Sequence, residues 1–266
     1  MALRPCLERA SSHGIPWFFV RYWNGGNHIR LRLFSTEAEI ASLRPLICSV
    51  AGLPKPRRER EKTYAETISR MSRVENLGLG MSEVAEDLMP SGAVQERDYF
   101  YDEYRYGAWS REDLERHFCA SSAIAFEVLT RVGHQRERLI AESYALSYSG
   151  LLAPFDEDCP IAELQNLLAS AKSLWSIEPR LKENEVQWLN NISRRFRTTK
   201  TLYSFWATEV EGLLSKLMLD DRQNRSRLRS LRLDLCHLLN NRLGVSIQDE
   251  LSMYAAIAEA LKRTQI

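Results

Sequence analysis

The sequence from residue 16 reads Pro16-Trp-Phe-Phe-Val-Arg-Tyr-Trp23, then Asn24-Gly-Gly-Asn27, then His28-Ile-Arg-Leu-Arg-Leu-Phe34. Both outer runs are rich in the aromatic and β-branched residues that favour strands. The glycines between them can take the positive φ values that a short hairpin loop demands. The stretch therefore predicts an antiparallel hairpin over residues 16–34.

Side chains alternate between the two faces of a strand, so the second run has a basic face and an apolar face. The two faces are His28, Arg30 and Arg32 against Ile29, Leu31 and Leu33. We expect the apolar face to be buried. Two arginines on one face repel each other and need an anionic partner, either a carboxylate of the protein or a bound anion such as a substrate carboxylate or a developing enolate. A solvated face with cross-strand ion pairs explains the pattern as well.

The chain after the hairpin changes from mixed to helical character. Ser35 or Thr36 can cap a helix that extends to about Ala51, and the tyrosine-rich stretch from Val94 to Tyr106 favours an extended conformation. From Ser110 onward apolar residues recur at helical spacing, beginning with a capping signature at Ser110-Arg-Glu-Asp113. Further helices are predicted at residues 135–151, 160–177, 182–197, 203–219, 223–241 and 247–263.

These patterns predict an α+β fold in which a small N-terminal antiparallel sheet precedes a predominantly helical remainder. We expect a single domain over residues 1–266, sheet-rich over 1–107 and helical over 110–266.

The composition limits the class of protein. Thirty-six basic and 35 acidic residues leave a formal charge of +1, which argues against a dominant attraction to nucleic acid or to a membrane. The five cysteines are scattered without a CxxC spacing, so neither a disulfide framework nor a zinc site is indicated. No apolar run is long enough to span a bilayer. We therefore expect a cytoplasmic protein that does not associate with membranes.

Two further segments combine residue types that can carry chemistry. The first, Tyr99-Phe-Tyr-Asp-Glu-Tyr-Arg-Tyr-Gly107, either lines a pocket or packs its aromatic rings in a strand. The second, Asp234 to Gly244, places His237 on one helical face with Asp234, Asn240 and Asn241. An acid one turn away can fix the imidazole tautomer, as a general base requires, although a structural histidine fits the same pattern.

Together the three segments resemble the C-terminal domain of lantibiotic dehydratases, which also occurs as free-standing thiopeptide-type bacteriocin biosynthesis proteins. The family's opening, FxRYxxxGxHIRLR, corresponds to Phe19 through Arg32. Its YxxExxRYG signature corresponds to Tyr99 through Gly107, and its HMxxNRLG signature to His237 through Gly244. The matches follow the family's order and cover nearly the whole chain.

The resemblance implies glutamate elimination from glutamylated Ser or Thr, which leaves dehydroalanine or dehydrobutyrine. The catalytic residues that it implies are Arg30, Arg32, Asp102, Arg105 and His237. The same motifs supply candidate substrate-binding residues, namely His28, Tyr99, Tyr106, Asn241 and Arg242. The chain departs from the family at Asp102, where a glutamate is usual, and Glu103 is a candidate to replace it.

Two other functions stay open within the resemblance. Related domains act as pyridine synthases, which join two dehydroalanines by a formal aza-[4+2] cycloaddition and expel the leader peptide; those enzymes have generally diverged at the elimination residues. A non-catalytic peptide-binding or scaffold subunit is the third option.

The elimination calls for no metal and no organic cofactor. The expected partners are a precursor peptide with its leader, a separate tRNA-dependent glutamylating subunit, and a second copy of the chain if the protein is a homodimer. Two late helices are rich in arginine and either form solvated faces or contact an acidic peptide or an RNA; these arginines are at positions 194, 195, 197, 222, 225, 227, 229 and 232.

Overall fold

The computed structural model describes residues 3–22, 26–49, 61–62, 65–66, 87, 89–90, 92–99, 101, 103–107, 109–153, 161–175, 179, 187, 202–220 and 225–264. The chain divides into two compact units, Met1–Asp102 and Glu103–Ile266. An antiparallel pair of strands in the first unit precedes the helices of the second, which confirms the predicted α+β class. The prediction of a single domain over residues 1–266 stays a prediction.

The hairpin consists of β1 (Trp17–Tyr22) and β2 (His28–Leu33). The strands pair antiparallel, with Phe18 opposite Arg32 and Val20 opposite Arg30. Gly26, just before β2, has a φ of 93°, which a residue with a side chain adopts only rarely. The predicted hairpin is thereby confirmed.

The buried side of the hairpin differs from the expectation. Ile29 is 37% exposed, and Leu31 and Leu33 are only partly buried. Trp17, Phe18 and Phe19 are buried instead. The large aromatic residues of β1, which remove more apolar surface from water than the aliphatic residues of β2, form the packed part of the hairpin.

Two helices flank the hairpin, and they pack against each other. The first, α1 (Arg4–Ser12), begins with Pro5 in its first turn and buries Cys6, Leu7 and Ala10. It was not predicted. The second, α2 (Glu37–Cys48), was predicted.

Thr36 begins α2 with a reciprocal cap. Its hydroxyl accepts a hydrogen bond from the Glu39 N–H at 3.4 Å, and its own N–H donates to the Glu39 carboxylate at 3.0 Å. Hydrogen bonds from the Ser35 hydroxyl and from Thr36 hold the pKa of Glu39 at about 2. The predicted end at Ala51 lies outside the described residues.

A short helix, α3 (Glu103–Tyr106), replaces the predicted extended conformation at the end of the tyrosine-rich segment. The Gly107 N–H donates to the Glu103 carbonyl at 2.8 Å. A Cβ at position 107 would lie only 2.3 Å from that oxygen, so a glycine is needed at the position that makes this hydrogen bond. Residues 93–99 belong to neither a helix nor a strand.

The second unit continues with α4 (Arg111–Val132), α5 (Arg136–Leu151), α6 (Ile161–Trp175), α7 (Leu202–Asp220), α8 (Arg225–Leu243) and α9 (Ile247–Thr264). The helices predicted over 135–177 and 203–263 are confirmed, with ends shifted by at most two residues. The segment predicted as a helix at 182–197 falls almost entirely outside the described residues.

Helix α8 packs against α4, α5 and α7, whereas α9 packs against α5 and α6. Apolar residues at helical spacing form the buried side of α8, namely Leu228, Leu231, Leu235, Leu239 and Leu243. Among the helices of the described regions, none has the length and apolar character that crossing a bilayer would require.

Gly150 marks a close crossing of α5 with α7 and α8. A Cβ at this position would lie 2.5 Å from Trp206 Nε1 and 3.0 Å from Cys236 Sγ. The indole of Trp206 and the thiol of Cys236 are both fully buried and cannot move away into solvent. The absence of a side chain at Gly150 is therefore a packing requirement.

We expect Gly150→Ala to lower the free energy of unfolding by about 1–3 kcal/mol, because the added methyl overpacks the helix crossing. Gly212 in α7 is the matched control, because a Cβ there meets nothing within 4 Å. Gly212→Ala should raise stability by about 0.4–1 kcal/mol, since it removes freedom only from the unfolded chain. Chemical denaturation measures both values, and equal effects at the two sites would contradict the packing argument.

His117 in α4 is a second interior feature. Its ring lies 5.1 Å from the ring of Trp206, centroid to centroid. Burial, with a smaller contribution from the charge of Arg242, lowers the pKa of His117 from 6.5 to about 3. Between about pH 3 and pH 6.5, the imidazole of His117 is therefore neutral in the folded protein and protonated in the unfolded chain.

As the pH falls below 6.5, His117 becomes protonated in the unfolded state, whereas in the folded state it becomes protonated only at about pH 3. Stability contributed by the neutral ring is therefore full above pH 6.5 and is lost between these values. At pH 5 the loss should be about 2 kcal/mol, at 1.4 kcal/mol per pH unit. Denaturation curves at pH 7 and pH 5 measure how far the free energy of unfolding falls between these pH values. For wild type this fall should be larger than for His117→Phe by about 2 kcal/mol. Equal decreases would contradict the assignment.

Candidate functional site

His28 and Arg30 form a connected pair on the basic face of the hairpin. Arg30 Nε donates to His28 Nε2 at 3.2 Å, and His28 Nδ1 lies 2.7 Å from the Gly26 carbonyl. Because Nε2 accepts from a guanidinium, Nδ1 must carry the hydrogen and donate to Gly26. The Arg30 guanidinium lies over the Tyr22 ring, with Cζ 3.3 Å from its centroid. A neutral histidine and an aromatic ring thus fix the direction of Arg30.

Arg32 has a similar setting two residues along the strand. Its Cζ lies 5.1 Å from the centroid of Tyr99, whose ring packs edge-on against Phe18 at 5.9 Å. Burial lowers the pKa of Arg32, and the charge of Arg30 lowers it further. Within the described part of the chain, its Nε is buried without a hydrogen-bond partner.

Acidic side chains do not neutralise this face within the described residues. The cross-strand neighbours of Arg30 and Arg32 are Val20 and Phe18, so the interpretation as cross-strand ion pairs is wrong. The contacts of the two guanidinium groups are aromatic rings, His28 and a backbone carbonyl. The guanidinium groups of Arg30 and Arg32, which are positioned by uncharged groups, can therefore bind an anion from outside the protein.

The middle motif is only partly described. Asp102 lies outside the described residues, and of Arg105 only the backbone, in α3, is described. Their predicted catalytic roles stay predictions. Tyr106 is buried, and its ring packs edge-on against Phe118 at 5.8 Å. The ring therefore has a packing role, and the predicted substrate contact of Tyr106 stays a prediction.

Arg242 of the late motif is also an interior residue. It has no exposed surface, its Nε donates to Ser122 Oγ at 2.9 Å, and its Cζ lies 5.6 Å from the Phe118 ring centroid. Burial lowers the pKa of Arg242 to about 10, which still leaves it charged at neutral pH. These contacts give Arg242 a structural role, and its predicted substrate contact stays a prediction. Asn241 is half-buried, and its predicted contact stays a prediction.

His237 lies near the end of α8, and its side chain is 42% exposed. Its Nδ1 is 2.9 Å from Oε2 of Glu250, which lies in the first turn of α9 and whose side chain is only 3% exposed. An imidazole that is open on one side and held by an interior carboxylate on the other has the arrangement of an oriented general base.

Glu250, whose carboxylate lies against Nδ1 of His237, was not among the residues singled out in the sequence, where Asp234 was the acid considered. The sequence of the turn between α8 and α9 could have indicated the contact between Glu250 and His237. The Gly244 N–H donates to the Asn241 carbonyl and the Val245 N–H to the Asn240 carbonyl, which end α8. Ser246 then caps α9, accepting from the Asp249 N–H at 3.2 Å. Such a short turn brings Glu250, in the first turn of α9, back to the end of α8.

The late arginines make contacts within the helical unit. Arg229 Nη1 lies 3.6 Å from Glu163 Oε1, Arg232 is buried, and Arg227 lies over the Trp109 ring at 5.0 Å. These arginine side chains thus contact other residues of the same helical unit. Arg227, Arg229 and Arg232 are therefore not a fully solvated face, and the side chains of the other arginines of this set lie outside the described residues.

Comparison with known proteins agrees with this organisation. The family described as lantibiotic biosynthesis dehydratase C-term matches residues 1–261. The chain belongs to this family. The resemblance drawn from the three motifs is thereby confirmed.

A solved structure shares the fold. Pyridine synthase TbtD from thiomuracin biosynthesis superposes with a TM-score of 0.67 at 13% sequence identity, covering 98% of this chain and 91% of that one. At this identity the likeness concerns the fold. Among curated proteins no relative matches the chain.

Proposed function

We propose that this protein removes glutamate from glutamylated Ser or Thr residues of a ribosomally made precursor peptide. Its family membership supports a role as an enzyme of peptide natural-product biosynthesis. The observation that carries the finer proposal is His237, a half-exposed imidazole whose Nδ1 faces the buried Glu250 carboxylate. That geometry leaves Nε2 as the basic nitrogen.

The proposed step is a β-elimination. His237 Nε2 takes the Cα proton of the modified residue, and the electron pair of that C–H bond becomes the Cα=Cβ double bond. The Cβ–O bond breaks, and glutamate leaves as a carboxylate. A neutral imidazole is suited to accept a proton near pH 7.

Arg30 and Arg32 supply the positive charge that this step needs. Removal of the Cα proton places negative charge on the adjacent amide oxygen, and departure of glutamate creates a carboxylate. Preorganised cations stabilise such charges without reorganising during the reaction. Within the described residues, these arginines have aromatic and neutral neighbours, which leaves their charge for the substrate. Arg105 is assigned the same task, with Asp102 holding a guanidinium in place.

The proposed partners follow from the substrate. The peptide must carry a glutamyl ester, so we assign its formation to a separate tRNA-dependent glutamylating subunit. The reaction changes only the modified residues, so we assign recognition of the precursor to its unmodified leader.

Given a glutamylated precursor peptide, the protein should release free glutamate and leave dehydroamino acids without an added cofactor. His237→Ala should slow the chemical step by about 10²–10⁴-fold, because the base is lost. Arg30→Lys keeps the charge but loses the planar fork, so we expect it to be nearly as damaging. Mass spectrometry of the peptide, with quantification of glutamate, measures both.

Two variants serve as matched controls. His134→Ala removes an exposed histidine in the turn between α4 and α5, and Arg4→Lys alters an exposed arginine paired with Glu8. Both should react at the wild-type rate. Intact glutamyl esters after incubation with wild type would reject elimination. A macrocycle and free leader formed from a pre-dehydrated peptide would assign pyridine synthesis instead, and peptide binding without either product would assign a scaffold.

A further inference from the structure

Glu250 is a carboxylate in the interior of a helical unit, and burying a charge is costly unless it is fully hydrogen-bonded. Three groups meet this requirement. The Tyr254 hydroxyl donates to Oε1 at 2.7 Å, Asn240 Nδ2 approaches Oε1 at 3.3 Å, and His237 Nδ1 lies 2.9 Å from Oε2. Both oxygens therefore have partners, and each has a defined direction.

The protonation of the neighbours determines which His237 nitrogen carries hydrogen. Burial, reinforced by the charge of Glu250, raises the pKa of Tyr254 well above its usual range, so the phenol remains a donor. The amide nitrogen of Asn240 can only donate. An ionised carboxylate can only accept, so the third contact requires a hydrogen on Nδ1 of His237. The lone pair of the neutral ring is then on Nε2.

A second layer of hydrogen bonds prevents the carboxylate from turning. The side chain of Asn240, which is fully buried, receives a hydrogen bond from Ser143 Oγ at 2.5 Å and donates to Ser147 Oγ at 3.0 Å. Both serines belong to α5. The orientation of Glu250 thus depends on a network that joins α5, α8 and α9.

The adjacent thiol does not compete for the proton. Cys236 is fully buried one residue before His237, and burial raises its pKa to about 12. It therefore stays a neutral thiol at physiological pH. The imidazole of His237 and the un-ionised phenol of Tyr254 are ionisable groups in hydrogen-bond contact with the Glu250 carboxylate.

We propose that Glu250 is a positioning residue that holds His237 in the Nδ1–H tautomer and directs Nε2 outward as the base. This role rests on the proposed elimination, but the tautomer can be measured without any substrate. Neither the family motifs nor Asp234, the acid singled out in the sequence, accounts for it.

The first measurement is the tautomer of His237, read from the nitrogen chemical shifts of ¹⁵N-histidine-labelled protein at neutral pH and assigned with His237→Ala. Wild type should show a protonated Nδ1 and an unprotonated Nε2. Glu250→Gln should move the ring toward the Nε2–H form, because the amide can donate to Nδ1. Asp249→Asn is the matched control, since Asp249 is the neighbouring acid but pairs with Arg136 and Ser246.

The second measurement is turnover of the glutamylated peptide. An orienting acid in a hydrolytic triad is worth up to about 10⁴-fold in kcat when its loss leaves the wrong tautomer. Because Tyr254 and Asn240 both donate to the Oε1 position, the carbonyl introduced by Glu250→Gln stays on their side and its amide nitrogen faces Nδ1. We expect a loss of roughly 10²-fold in kcat with KM little changed. Asp249→Asn should match wild type.

A wild-type ring in the Nε2–H form would overturn the proposal even if Glu250→Gln failed to fold. So would an unchanged tautomer or an unchanged kcat in folded Glu250→Gln, or a shift produced by Asp234→Asn instead. Absence of elimination by wild type, with the tautomer shift still present, would refute the proposed reaction while leaving the pairing of Glu250 with His237 supported.

Discussion

The hydrogen bond between Glu250 and His237 joins the interior of the helical unit to an imidazole that is open to solvent. Three helices contribute to it, because Asn240 and the two serines of α5 hold the carboxylate from behind. Replacing a fully bonded buried carboxylate by apolar side chains is often neutral or even stabilising. Stability alone therefore does not explain why position 250 is an acid. Orientation of the His237 imidazole does explain it.

The arginines of this chain fall into two classes that composition cannot separate. Arg229 pairs with a glutamate, while Arg232 and Arg242 are buried among the helices. Arg30 and Arg32 differ, since within the described residues their neighbours are aromatic rings, a neutral histidine and carbonyl groups. Aromatic faces orient a guanidinium without cancelling its charge. A positive charge kept in this way is what a reaction that expels a carboxylate requires.

Local patterns in the sequence predicted what local physics determines. The glycine-containing linker and the alternating residues predicted the hairpin, and caps such as Thr36 and Ser110 predicted where helices begin. Helix α1 was missed because nine residues hold too few turns for a clear period. The short helix α3 was missed because tyrosines favour strands, whereas the close approach at Gly107 favours a turn.

Tertiary packing decided the rest of the candidate site. No periodicity distinguishes Arg242, which is buried beside Phe118 and Ser122, from an arginine that faces a substrate. Glu250 is thirteen residues from His237 and on another helix, so its contact depends on how the turn after α8 places the first turn of α9. The motif residues were sufficient to identify the family, whereas the hydrogen-bond partner and the burial of each residue emerge only from the fold.

The central claim is that His237 removes the Cα proton as glutamate leaves. Competition between glutamylated peptides carrying hydrogen or deuterium at Cα of the modified residue tests it most directly, with the isotopic ratio of the remaining peptide followed by mass spectrometry. This role of His237 predicts that the hydrogen-bearing peptide is dehydrated preferentially and that His237→Ala slows its consumption by about 10²–10⁴-fold. Equal consumption of both peptides, or unchanged consumption by the variant, would contradict it.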